Sequence, residues 1–176
     1  GLLILISIVV PTLLWTNLTN PYVWVALFGL VSFGLIGFWD DYSKIRKRQN
    51  LGLTARQKFG LQVLAALLVG VFLLSLHAMG LYSTTMNVPF FKWFKPNLLI
   101  DSLLAHPYSY PFAFVFFFGF LIFVVVGSSN AVNLTDGLDG LAIGLMIIAS
   151  SAMTVLAYAS GHAQFGSYLD LVRLPG

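Results

Sequence analysis

The sequence contains no cysteine and no glutamate, and charged residues fill only 9% of its 176 positions. Without cysteine, disulfides and thiolate metal sites are excluded, and no redox compartment is legible. Without glutamate, all acidic chemistry falls to six aspartates. Four of them stand in two short clusters, Asp40-Asp41 and Asp136/Asp139. A soluble domain carries roughly a quarter charged residues and about half apolar ones. Here 59% are hydrophobic and mean hydropathy is +0.90. A water-soluble fold of this size cannot hide that much apolar surface, whereas a bilayer accepts it. The net charge of +3 is too small to point to nucleic acid.

What is present are apolar runs of membrane length. A spanning helix needs about 20 mostly apolar residues, range roughly 17–25. Five stretches qualify or nearly do: 1–15, 21–39, 59–81, 111–126 and 138–159. The expected fold class is therefore all-α, a polytopic integral membrane protein with about five transmembrane helices. No internal repeat divides it, so residues 1–176 are expected to be part of a single transmembrane domain. Gly1 inside an apolar run and the closing Leu174-Pro175-Gly176 suggest a piece truncated at both ends. The first run lacks the basic n-region of a signal peptide.

Six of the nine basic residues lie between positions 40 and 58: Lys44, Arg46, Lys47, Arg48, Arg56 and Lys58. The excess of Lys and Arg in cytoplasmic loops puts this segment inside. Alternating helices put the polar stretch 127–137 on the same side and 80–110 outside. Trp15, Tyr22, Trp24 and Trp39 flank helix ends as an interfacial aromatic belt does. The phenylalanines between 112 and 123 read most simply as lipid-facing bulk. Gly140 and Gly144 have the spacing of a close helix–helix contact. His77, His106 and His162 fall in or beside the external segments and receive no role.

Two acidic clusters thus share the expected cytoplasmic side. Asp40-Asp41 is expected to end a helix, where the macrodipole disfavours carboxylates. Lys44, three and four residues on, or Mg²⁺ with its preference for oxygen ligands and substrate phosphates, would compensate. A solvated helix end balanced by lysines is the plain alternative. The second cluster reads Asn130-Ala-Val-Asn133-Leu-Thr-Asp136-Gly-Leu-Asp139-Gly. Steps of three drift by about 60° each around an α-helix. Gly137 and Gly140 make an unwound segment the expectation, tolerated where backbone lines protein or a water-filled cavity. A capping role is the plain alternative here, with Asp136 as N-cap of the next helix and Asp139 at N3. Thr54 is a candidate N-cap for the helix that carries Arg56 and Lys58.

These motifs together resemble one family. Gly37-Phe-Trp-Asp40-Asp41-Tyr42-Ser-Lys44, then Gly52-Leu-Thr54-Ala-Arg56-Gln57-Lys58, and finally the Asn130–Gly140 block are similar to the phospho-N-acetylmuramoyl-pentapeptide transferases. These are a branch of the polyprenyl-phosphate sugar-1-phosphate transferases, and the likeness covers essentially the whole chain. It implies transfer of phospho-MurNAc-pentapeptide from its UDP-linked donor to undecaprenyl phosphate, giving lipid I and UMP, with Mg²⁺ as cofactor. It implies Asp40, Asp41 and Asp136 as catalytic residues, with Asp40 and Asp41 also toward the metal. It implies Lys44, Lys58, Asn130, Asn133, Gly137, Leu138 and Asp139 as substrate-binding. The setting implied is the bacterial cytoplasmic (inner) membrane, with the active site on the cytoplasmic face. The family's further metal-binding aspartate and His-rich loop have no counterpart here, so the piece by itself is expected to be inactive. Homodimerisation stays open. The alternatives are a polyprenyl-phosphate GlcNAc-1-phosphate transferase and, from a different class, a membrane transporter subunit, whose charges would lie nearer the bilayer midplane.

Overall fold

The computed structural model describes residues 2–47, 52–86, 88, 93–104, 108–137, 140–169 and 171. Its helices are α1 (Leu2–Trp15), α2 (Pro21–Lys47), α3 (Ala55–Ala78), α4 (Asp101–Leu104), α5 (Val115–Thr135), α6 (Leu141–Gly161) and α7 (Ala163–Tyr168), with a 3-10 turn Tyr110–Phe114 leading into α5. Among the described residues, four helical spans are long and apolar enough to cross a membrane: Pro21–Arg46, Ala55–Ala78, Pro111–Thr135 and Leu141–Gly161; Leu2–Trp15 is a shorter apolar helix. The all-α polytopic membrane architecture expected from hydropathy is the one observed.

The chain falls into two compact units, Gly1–Ser83 with Val115–Val126, and Thr84–Phe114 with Gly127–Gly176. In the first, α2 opens on Pro21, which lacks only an N–H that would go unpaired anyway. The Asn20 side chain accepts the Tyr22 N–H at 3.0 Å. The Tyr22 hydroxyl in turn donates to the Leu81 carbonyl at 2.6 Å and ties the start of α2 to the end of α3. The buried residues of α3 include Gln62, Ala65, Ala66, Val69 and Gly70. Their three- and four-residue spacing makes one seam of mostly small side chains, which lets neighbouring backbones approach closely where lipid offers no hydrophobic drive for helix association. Phe28 of α2 and Phe72 of α3 lie 5.2 Å apart, centroid to centroid. At Gly70 a Cβ would stand 2.6 Å from Phe118 and 2.9 Å from Leu121, so α5 packs directly on the α3 backbone. Most remaining large apolar side chains are exposed, as lipid contact requires.

In the second unit, Thr85 and Asn97 form an isolated antiparallel bridge. Asn97 organises the segment. Its Oδ1 accepts from the Thr84 hydroxyl at 2.6 Å and the Leu99 N–H at 3.0 Å, and its amide donates to Asp101 at 3.0 Å. The described parts of the 80–110 connection read from sequence thus include a bridged and hydrogen-bonded segment around Asn97. Helix α6 has no buried residue, and a Cβ at Gly144 would meet nothing within 4 Å. The close contact expected at the Gly140/Gly144 pair is absent among the described residues. Gly140 answers instead to its backbone, at φ 84, a conformation costly for any residue with a Cβ.

Candidate functional site

The first cluster differs from its sequence expectation in one respect. Asp40 and Asp41 do not end α2, which continues to Lys47. Tyr42 to Lys47 contains neither Gly nor Pro. The cations after the aspartates also suit the negative end of the helix dipole. The carboxylates sit inside the helix, and the helix itself delivers their cation. Lys44 Nζ lies 2.9 Å from Asp40 Oδ2 (i,i+4) and 3.3 Å from Asp41 Oδ1 (i,i+3).

The two neighbours are not equivalent. Successive helical residues point about 100° apart, and here one turns inward and the other outward. The Asp40 side chain is 12% exposed and that of Asp41 71%. Asp40 Oδ1 accepts the backbone N–H of Leu53 at 2.8 Å. Both Asp40 oxygens are therefore engaged, one by an amide and one by an ammonium. A carboxylate taken out of water needs such partners. Asp41 keeps most of its surface free.

The segment that covers Asp40 leads into α3. Thr54 caps that helix as the sequence suggested, and the cap is a full capping box. The Thr54 hydroxyl accepts the Gln57 N–H and the Gln57 side chain accepts the Thr54 N–H, at 3.3 and 3.1 Å. This fixes the direction in which the preceding Gly52 and Leu53 run. Lys58, on the first turn of α3, is half-buried and within electrostatic reach of Asp40. Asp40, Asp41, Lys44 and Lys58 are thus gathered at one end of the α2–α3 pair. On a flank of α2 beside them is a cavity of about 640 Å³ lined by Phe38, Trp39, Tyr42, Ser43, Arg46 and Gln57, with Gly52 and Leu53.

The second cluster departs further. The stretch 127–137 is largely helical, because α5 runs through Asn130 and Asn133 to Thr135. Regular helix therefore includes Asn130 and Asn133 and gives way at Asp136, just ahead of the Gly137 where unwinding was expected. Two asparagines three apart on a regular helix point about 60° from each other and share a face. Both engage in interactions within the chain. Asp136 is the C-cap of α5, at φ −78 and ψ 18, and not the N-cap of the next helix. That N-cap is Gly140, and no side chain caps it. Gly137 comes after Asp136 in a turn; Leu138 and Asp139 lie outside the described residues.

A divalent cation of the kind the sequence implied needs hard oxygen ligands, and Mg²⁺ takes only one or two from protein when phosphates supply others. The open Asp41 carboxylate fits that demand; Asp40 fits it less, because Lys44 already holds its outer oxygen. Among the described residues no three acidic or histidine side chains form a metal-holding group. The described histidines make contacts of their own, and His106 lies outside the described residues. His77 Nδ1 lies 2.8 Å from the Tyr82 carbonyl, and the His162 ring lies tilted against Tyr158 and Phe165, at 6.0 and 4.8 Å between centroids. Sequence reasoning placed Gly52 in a motif but gave neither it nor the Leu53 amide a role. The only signal for them was a glycine two residues ahead of a helix cap.

Comparison with known proteins places these features in a family. The family profile described as "Glycosyl transferase family 4" matches residues 23–172. The chain is 55% identical over 175 residues to a phospho-N-acetylmuramoyl-pentapeptide-transferase of Koribacter versatilis, 56% to one of Solibacter usitatus and 55% to one of Acidobacterium capsulatum. Each alignment takes in 99% of this chain and 46% of the relative, so the chain spans about half the length of the curated relatives it matches. With the profile running from the start of α2 past the end of α7, this chain belongs to glycosyl transferase family 4.

Proposed function

We propose that the protein to which this chain contributes transfers phospho-MurNAc-pentapeptide from its UDP donor to undecaprenyl phosphate, giving lipid I and UMP. The observation that carries this reading is the 55–56% identity, over nearly the whole chain, to three enzymes named for that transfer. The Asp40–Asp41–Lys44 geometry supports it chemically. An oxygen of the acceptor's phosphate attacks the sugar-linked phosphorus of the donor. The bond from that phosphorus to the bridging oxygen breaks, and UMP leaves with the electron pair.

Both reactants are anions, so the site must gather positive charge without neutralising it fully. Lys44 and Lys58 supply that charge toward the phosphates. Asp40 orients or deprotonates the acceptor phosphate. Asp41, open to solvent, helps hold it and is the better placed of the two toward Mg²⁺. Mg²⁺, when bound, neutralises charge developing on the diphosphate. The nucleoside is assigned to Asp136, Gly137, Leu138 and Asp139, with Asn130 and Asn133 in support. The reaction takes place on the cytoplasmic face of the inner membrane, the side to which the basic segment 40–58 belongs.

The test is transfer by the full-length protein, with UDP-MurNAc-pentapeptide set against UDP-GlcNAc as donor. Lipid I formation with the first donor only is the expected result. Turnover of UDP-GlcNAc alone would move the protein to the neighbouring branch, and turnover of neither would refute the enzyme reading. Asp40→Asn and Asp136→Asn should each abolish transfer in a protein that remains folded, and a wild-type rate in either would remove that residue from the site.

A further inference from the structure

The contact between Asp40 and the segment before α3 depends on a missing side chain. A Cβ added at residue 52 would lie 2.7 Å from the Asp40 carbonyl oxygen, and closer still to Asp40 Oδ1. The carbonyl is backbone, so no side-chain rotation relieves that obstruction. Gly52 is not among the glycines with positive φ, so its requirement is for space and not for an unusual conformation. The absence of a side chain at 52 lets the next amide, that of Leu53, reach Asp40 Oδ1 at 2.8 Å. The Thr54–Gln57 capping box anchors the far side of this segment to α3. The result is a chain of fixed groups running from α3, through its cap, to one oxygen of Asp40, while Lys44 holds the other oxygen from within α2.

We propose that Gly52 and the Leu53 amide are positioning elements of the transferase site, which fix the Asp40 carboxylate by direct backbone contact and so set where it and Lys44 meet the acceptor phosphate. This rests on Asp40 acting on that phosphate in the transferase reaction. Neither Gly52 nor the Leu53 amide is assigned a contact with a reacting atom; both act through Asp40. A hydrogen bond to a charged group contributes more than a neutral one, and a misplacement of about 1 Å in a reacting group can cost on the order of a hundredfold in rate.

The experiment uses the full-length protein with Gly52→Ala, and with Gly60→Ala as the matched control, since a Cβ at Gly60 meets nothing within 4 Å. Gly52→Ala should lower kcat by about ten- to a hundredfold and leave KM for the UDP-linked donor unchanged, because the nucleoside is assigned to other residues. Folded protein is quantified in each preparation, so that kcat is expressed per folded molecule. Gly60→Ala should match wild type. The second measurement comes from the other end of the contact: amide hydrogen exchange at Leu53 in substrate-free protein. Leu53 should be protected in wild type and should lose protection in Asp40→Ala. Unchanged kcat in folded Gly52→Ala, or Leu53 exchange indifferent to Asp40→Ala, would overturn the proposal. An inactive wild type would instead overturn the transferase reading, so the two failures are distinguishable.

Discussion

Lys44 bridges two carboxylates that differ in burial, and this difference has a measurable consequence. Asp40→Asn removes the charge at position 40 while leaving an oxygen to accept the Leu53 N–H. Lys44→Met removes the ammonium and keeps the length of the side chain. Combined in a double-mutant cycle, the two isolate the pair's interaction energy. Breaking a fully buried ion pair costs about 3–5 kcal/mol, and an exposed pair is worth roughly 0.2–1 kcal/mol. The Asp40–Lys44 pair lies between these limits: 2.9 Å apart, with Asp40 12% and Lys44 40% exposed. Asp40 is covered by one segment of chain and is not sunk in a core. A coupling of about 1.5 kcal/mol is expected, above the exposed-pair range and well below the cost of stranding a buried charge. For Asp41 the distance is 3.3 Å and the exposure 71%, so a cycle with Asp41→Asn should return under about 0.5 kcal/mol. The assay is equilibrium unfolding of the full-length protein in detergent, monitored by loss of helicity. An Asp41–Lys44 coupling equal to or larger than that of Asp40–Lys44 would refute the assignment of Asp40 as the held carboxylate and Asp41 as the open one.

Thr54→Ala removes the capping box of α3 and should destabilise the protein by about 1 kcal/mol; Thr54→Ser should restore most of it in the same unfolding measurement. Gly70→Ala places a Cβ 2.6 Å from Phe118 Cε1 and should cost about 1–3 kcal/mol through overpacking. Asn97→Ala strands the buried Thr84 hydroxyl and the Leu99 N–H. Its expected cost is about 1–3 kcal/mol, with faster proteolysis between residues 84 and 104 as the readout.

The membrane architecture was legible because lipid imposes a one-dimensional constraint. A span needs a run of apolar residues, and a run can be counted. The positions of helix ends were less legible. Asp40 and Asp41 look like a terminus because charge begins there, yet α2 continues to Lys47. Hydropathy registers where the bilayer's apolar core stops, not where backbone hydrogen bonding stops. The same confusion misplaced the end of α5, where Ser, Asn and Thr read as a loop and fold as helix through Thr135. Thr54 was read correctly because a capping box is local, four residues wide, and needs nothing from the rest of the chain.

The sequence by itself therefore determined the class of solvent, the runs that meet it, the two acidic clusters, and a motif set specific enough to point to a family. Its residues alone gave no physical ground for one aspartate of the Asp40–Asp41 pair being held and the other open. Only the tertiary structure separated them, by bringing the Leu53 amide onto an aspartate thirteen residues earlier. That contact depends on the path of the chain between two helices and on the empty space at Gly52. Neither is encoded in a periodicity or a charge count, which is why one carboxylate is held and its neighbour is left open to solvent.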